Sequence, residues 1–168
     1  MDSPADRLVA ADVVRGVSRL LYRQDYIAVA EVPLGNGRRA DIMALGPKGE
    51  VIIVEIKVSR ADLLGDGKWP FYLDYCERYF WAVPQGFDLA LFDREELAPA
   101  TSGLIIADRY DAAILREPVA TPLASSRRRA ETLHRATPRR RRAHAAPRAT
   151  AGRLPPVAPA AATATATA

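Results

Sequence analysis

The stretch Val51-Ile52-Ile53-Val54-Glu55-Ile56-Lys57-Val58 sets two opposite charges inside a run otherwise made of β-branched residues. A run of this kind is the pattern of a strand covered on both faces. A carboxylate and an ammonium in such a strand are each costly to desolvate unless paired, hydrogen-bonded or bound to an ion. Because side chains alternate along a strand, Glu55 and Lys57 share one face and can serve one site.

Working back from this run, Gly46-Pro47-Lys48-Gly49 reads as a hairpin turn. Proline suits its first corner, and Gly49 suits the left-handed position that closes a three-residue loop. Paired residue numbers then sum to 96, which sets Asp41 opposite Glu55 with Cβ atoms about 5 Å apart. Two like charges at that distance repel in an empty sheet but make an oxygen site for a divalent cation. Mg²⁺ in particular takes one or two carboxylates and keeps several waters. Glu31 is a weaker third ligand. A three-residue loop at Gly35-Asn36-Gly37 sets it beside Asp41, whereas a two-residue Asn-Gly turn shifts the register by one. Its competing reading is a salt bridge to Arg38 or Arg39.

Further out, Ser3, Pro4 and Asp6 read as the cap and first turn of a helix running to about Gln24, with Val9, Val13, Val17 and Leu20 on its buried face. Strand signals follow at residues 26–34, 38–45 and 50–58. Ser59 and Asp62 form a capping-box-like helix start. Glycines at 65 and 67 interrupt that helix before a second helical piece at 70–78. Strand returns at 79–83, a helical turn is expected at 94–97, and two further strands at 103–107 and 112–115. The order is that of an α/β fold with a mixed sheet.

The 168 residues carry a formal net charge of +4, but its distribution is uneven. Up to Glu117 there are 14 Lys and Arg against 19 Asp and Glu; beyond it the count is 10 against 1. The front part is therefore acidic, and a polyanion would be held only by a local basic patch or by the tail. All twelve aromatic residues precede Pro118, whereas 33 of the 51 residues from Pro118 onward are Pro, Ala or Arg. An ordered domain is expected over residues 1–117. The Arg/Ala/Pro-rich tail, 118–168, is expected to be disordered apart from a short basic helix at 125–135. The single cysteine, Cys76, cannot form an internal disulfide, no zinc-like Cys/His spacing occurs, and no run of about 18 apolar residues exists. These features lead us to expect a soluble cytoplasmic protein without a membrane partner.

Asp41, thirteen residues, then Glu55-Ile56-Lys57 on the second strand of a hairpin resembles the PD-(D/E)XK nuclease core, as does the order helix, three antiparallel strands, helix, strand. More specifically, Gly37-Arg38-Arg39-Ala40-Asp41, Val54-Glu55-Ile56-Lys57, Lys68-Trp69-Pro70, Tyr72, Cys76-Glu77-Arg78 and Gly103-Leu104-Ile105-Ile106-Ala107-Asp108 resemble the bacterial MmcB family of DNA-repair-associated proteins, over about residues 5 to 135. No proline precedes Asp41, and the tail beyond Arg135 has no counterpart in that pattern.

The resemblance implies a restriction-endonuclease-like core and a Mg²⁺- or Mn²⁺-dependent site acting on structured or damaged DNA. Asp41 and Glu55 would bind metal with the Ile56 carbonyl, and Lys57 would position or activate water. Arg38, Arg39, Arg60 and Lys68 are then the phosphate contacts expected around it. The alternative is a non-catalytic DNA-binding module that recruits other repair proteins. A third class is a protein-interaction domain whose tail contacts RNA or acidic partners. A plain ion-pair cluster is the competing account of Asp41, Glu55 and Lys57. Trp69, Tyr72, Tyr75 and Tyr79 are expected to be core residues. Cys76 reads as a small buried residue, and His134 and His144 as solvated tail residues.

Overall fold

A computed structural model describes residues 9–124 of the chain. The run from Val51 lies inside a six-stranded sheet, buried at every position from Val51 to Ile56. The elements are α1 (Ala10–Arg23), β1 (Ile27–Pro33), β2 (Arg39–Leu45), β3 (Val51–Ile56), α2 (Arg60–Leu64), a 3₁₀ helix at Trp69–Tyr75, β4 (Arg78–Pro84), 3₁₀ turns at Leu89–Asp93 and Glu95–Leu97, β5 (Gly103–Ala107) and β6 (Ala112–Arg116). Spatial order follows chain order. The pairs β1–β2, β2–β3 and β5–β6 are antiparallel, and β3–β4 and β4–β5 are parallel. The architecture is α/β with a mixed sheet.

Turn chemistry sets both hairpin registers. Gly49 takes φ +80°, its N–H bonds the Gly46 carbonyl at 3.0 Å, and β2 and β3 pair from Leu45↔Val51 to Ile42↔Val54, the expected sum of 96. Gly37 likewise takes φ +79° and closes a three-residue loop, with the Leu34 N–H on the Arg38 carbonyl at 2.8 Å. Of the two registers open to β1, this is the one that sets Glu31 across from Asp41, between the pairs Ala30↔Ile42 and Val32↔Ala40. Glu31 itself adopts φ +53°, and its own pairing is lost.

Each face of the sheet carries one core layer. Val13, Val17, Leu20 and Leu21 of α1 pack on Ile42, Ala44, Ile52, Val54, Phe80, Ala82 and Ile105. On the other face Trp69, Tyr72, Tyr75, Leu91 and Phe92 pack on Met43, Val51, Ile53, Tyr79, Trp81 and Val83. Strand β3 is covered by both, which is why its sequence does not alternate.

Three local expectations change. The helix start at Ser3 lies outside the described residues. Within them α1 begins at Ala10, and Val9, expected on the buried face, is exposed and donates its N–H to the Asp12 carboxylate at 3.3 Å. The helical piece expected at 70–78 is a 3₁₀ helix ending at Tyr75, and Arg78 already belongs to β4. The reason is the spacing of Trp69, Tyr72 and Tyr75. Three residues apart, they line one side of a helix with three residues per turn, so burying all three selects 3₁₀ geometry. The single turn expected near 94–97 is preceded by a second, Leu89–Asp93, whose Leu91 and Phe92 fill the core. Beyond β6, Val119 and Thr121 donate backbone hydrogen bonds to Thr101 and Glu77. The basic helix expected at 125–135 lies outside the described residues. Among the described residues no helix is long and apolar enough to cross a membrane.

Candidate functional site

The β2–β3 ladder stops at Ile42↔Val54. At the next position carboxylates replace backbone carbonyls: Glu55 Oε1 accepts the Asp41 N–H at 3.2 Å, and Asp41 Oδ2 accepts the Ile56 N–H at 2.8 Å. The two acids thus close the end of the hairpin and face each other. Glu55 is only 3% exposed. Burial, reinforced by the nearby Asp41 charge, pushes its carboxyl up to about 8. Burial also raises Asp41, against the pull of the Ile56 N–H and the Lys57 ammonium. A buried acid and a half-buried one that resist joint ionisation favour the arrival of a cation.

Lys57 lies on the Glu55 face, 6% exposed. Its Nζ is 2.7 Å from Asp66 Oδ2, 3.7 Å from Asp62 Oδ1 and 6.0 Å from the centroid of the Trp81 ring. Burial alone would lower its pKa, but the Asp66 hydrogen bond and the charges of Asp66, Asp62 and Glu55 hold it above the ordinary lysine range. The chain returns to this lysine by local means. Ser59 Oγ accepts the Asp62 N–H at 3.2 Å and starts α2, and Asp66 Oδ1 accepts the Lys68 N–H at 2.9 Å in the following turn. Asp62, read from sequence as a cap partner, thereby directs its carboxylate to Lys57. Asp66 had no reading of its own. The signal for it was indirect: a lysine within an apolar strand requires an anion.

A cleft of about 830 Å³ opens over these groups, lined by Glu31, Arg39, Asp41, Glu55, Ile56, Lys57, Asp62, Asp66, Lys68 and Tyr72 with Ala10, Ala11, Val14 and Ala30. Of the expected phosphate contacts, Arg39 and Lys68 line it. Arg38 and Arg60 are not among its lining residues; Arg38 stacks instead on the Phe71 ring. Glu31 fits both of its readings, lining the cleft and meeting Arg39 at 3.8 Å as an exposed pair. Five acids against three bases leave the cleft without a positive excess even while Glu55 keeps its proton, so an anionic substrate would need a bridging cation.

The donor set fits Mg²⁺ or Mn²⁺. Each carboxylate commits one oxygen to a backbone N–H, and among the described residues Asp41 Oδ1 and Glu55 Oε2 have no hydrogen bond. No group of three or more His, Cys, Asp or Glu side chains arranged for a metal occurs among the described residues, and an ion that keeps most of its waters needs none. Cys76 is buried, and burial pushes its thiol up to about 12, so it is protonated at neutral pH. His134 and His144 lie outside the described residues.

A family described as MmcB-like, DNA repair protein MmcB-like, matches residues 5–151. Among solved structures, a Silicibacter pomeroyi protein of unknown function is similar to this chain, at 44% identity and a TM-score of 0.64, covering 77% of this chain and 88% of that one. No curated protein matches.

Proposed function

The chain belongs to the MmcB-like DNA repair protein family, and from that membership we propose that its cleft is a divalent-metal-dependent phosphodiesterase site acting on DNA, of the PD-(D/E)XK nuclease type. One observation carries the reading: Asp41 and Glu55 meet where the β2–β3 ladder ends, one pleat from Lys57. The order α1, three antiparallel strands, α2 and a strand parallel to β3 agrees with a restriction-endonuclease-like core.

In this reading Asp41 Oδ1 and Glu55 Oε2 hold Mg²⁺ or Mn²⁺. A strand residue's N–H and C=O leave on the same side, so the Ile56 carbonyl is directed to the side where its N–H meets Asp41, as a third oxygen donor. The ion supplies charge neutralisation for the scissile phosphate and a water of lowered pKa. Lys57, kept cationic by Asp66, adds a positive group beside that phosphate and orients the attacking water. Arg39 and Lys68 at the rim receive the flanking phosphates.

The test is cleavage of duplex, single-stranded and branched DNA by the full chain with Mn²⁺. Activity that disappears in Glu55→Ala supports the reading. No cleavage of any of them, or cleavage equal in Glu55→Ala, overturns it. A second reading, a non-catalytic DNA-binding module that recruits repair factors, is favoured by the 2.7 Å contact that occupies the Lys57 ammonium. In that case Glu55→Ala and Lys57→Ala leave DNA binding and cellular repair intact.

A further inference from the structure

The 3₁₀ helix that carries Tyr72 into the cleft wall turns its neighbour the opposite way. Trp69, Tyr72 and Tyr75 are buried, whereas Phe71 is 53% exposed. An exposed phenyl ring is unremarkable by itself; the fixtures around it are not. Arg38 lies over the ring with its guanidinium carbon 4.4 Å from the centroid. The Asn36 side-chain amide donates to the Phe71 carbonyl at 3.2 Å, and Asn36 Oδ1 accepts the Arg38 N–H at 3.0 Å. One residue on, the Tyr72 hydroxyl donates to the Arg39 carbonyl at 3.2 Å. The β1–β2 turn and the 3₁₀ helix are thus fastened together, with an aromatic plane and a cation on their outer side. Arg38 lies just before β2 and three residues ahead of Asp41, about 10 Å along the chain at roughly 3.3 Å per residue.

We propose that Phe71 and Arg38 form a stacking platform for an unpaired nucleobase, so that the cleft takes DNA carrying a single-stranded segment next to the phosphate it acts on. This rests on the metal-dependent site proposed above. A base inside a duplex already has both faces covered by its neighbours, whereas an unpaired base offers a free face to a side chain. Aromatic rings and guanidinium planes accept such a face whatever the base. The guanidinium stacked over the ring complements the strand's phosphates, which the acidic cleft does not. A duplex with flush ends offers the platform at most the outer faces of its two terminal pairs.

The experiment is fluorescence anisotropy of the full chain with three labelled DNAs: a flush duplex, the same duplex with an oligothymidine overhang, and free oligothymidine. Salt is held constant, and Ca²⁺ replaces Mn²⁺ to limit turnover. Phe71→Ala should weaken binding to the overhang and to free oligothymidine roughly 5- to 150-fold, the range for one stacked base, and leave the flush duplex within twofold. Phe71→Trp should restore binding, and its indole emission should be quenched by oligothymidine. Phe71→Ala that binds all three DNAs as the parent does, or loses all three equally, overturns the platform. If Mn²⁺-dependent cleavage needing Glu55 persists beside that result, only the platform falls. A parent chain that binds no DNA removes the platform and the functional reading together. Because Phe71 is exposed, an unchanged melting temperature establishes that Phe71→Ala folds.

Discussion

The Asp41 carboxylate accepts the backbone N–H of Ile56, while Asp41's own N–H is accepted by Glu55. Two acidic side chains therefore do the work of a lost ladder rung, and each retains an oxygen for something else. An arrangement this reciprocal orders both carboxylates before any ion arrives, which reduces the ordering that binding has to supply. It also stores a protonation equilibrium inside the fold.

That equilibrium gives a pH dependence of stability. Glu55 titrates near 8 when folded, against an ordinary value of 4.5, because burial and the Asp41 charge disfavour its anion. Between those values the folded chain keeps a proton that the unfolded chain has released. Its contribution is therefore full below about 4.5 and is lost as pH rises through 8. Asp41 is shifted the same way. Thermal unfolding without metal should show a melting temperature that declines from pH 5 to pH 8, and Glu55→Gln should flatten the decline. A wild-type melting temperature that rises over this interval contradicts the assignment.

Metal binding should reverse the trend. Since the ligand is the carboxylate, an ion binds by displacing the Glu55 proton, and affinity grows with pH. Mn²⁺ titrated by calorimetry should bind more tightly at pH 8 than at pH 6, with proton release visible as a heat that changes with the buffer. Saturation at a hundredfold over Kd should stabilise the fold by roughly 2.7 kcal/mol. Asp41→Asn should abolish both the heat and the stabilisation.

How far these residues were legible from sequence varies with the range of the interaction that places each one. The Asp41–Glu55 juxtaposition follows from the chemistry of four turn residues and the pleat of two strands, all within fifteen positions. Glu31 was ambiguous because Gly-Asn-Gly supports two loop lengths of opposite facing, and only the folded hairpin selects one. Asp66 reaches Lys57 through α2 and a glycine-flanked turn, a path that no periodicity records. Arg38 and Arg60, phosphate contacts that the resemblance implies, are not among the residues lining the cleft. A guanidinium settles where an aromatic face or a phosphate draws it, and for Arg38 that partner is Phe71, from a segment read only as helical.

Asp66 should be the more important of the two acids on Lys57. Its side chain is 12% exposed and 2.7 Å from Nζ, whereas that of Asp62 is 47% exposed and 3.7 Å away. Asp66→Ala leaves a buried ammonium without its main partner and should cost about 3–5 kcal/mol in denaturant unfolding. Asp62→Ala should stay within about 1 kcal/mol. Lys57→Met combined with Asp66→Leu should recover most of the loss, since the penalty belongs to the orphaned charge. Additive losses in the double variant would instead assign the cost to packing.

The placement of α1 rests on a close approach that a single methyl group can test. Gly16 faces the β5–β6 connection, and a Cβ there would run into the backbone carbonyls of Asp108 and Asp111. Alanine in mid-helix is ordinarily worth about 1 kcal/mol over glycine. Backbone carbonyls cannot rotate aside as a flexible side chain does, and overpacking of this kind costs about 1–3 kcal/mol, occasionally more. Nearby, Arg19 donates to the Tyr110 carbonyl and Arg23 pairs with Asp111 at 2.6 Å, so displacing the turn also disturbs those contacts. The steric term should therefore exceed the propensity gain. Gly16→Ala is expected to lower the melting temperature by several degrees, whereas a rise would mean that α1 and the β5–β6 turn are further apart than described. Because Ala10, Ala11 and Val14 of the same helix line the cleft, Gly16→Ala should also weaken Mn²⁺ binding. Asp41→Asn, by contrast, should eliminate that binding while leaving the helix in place.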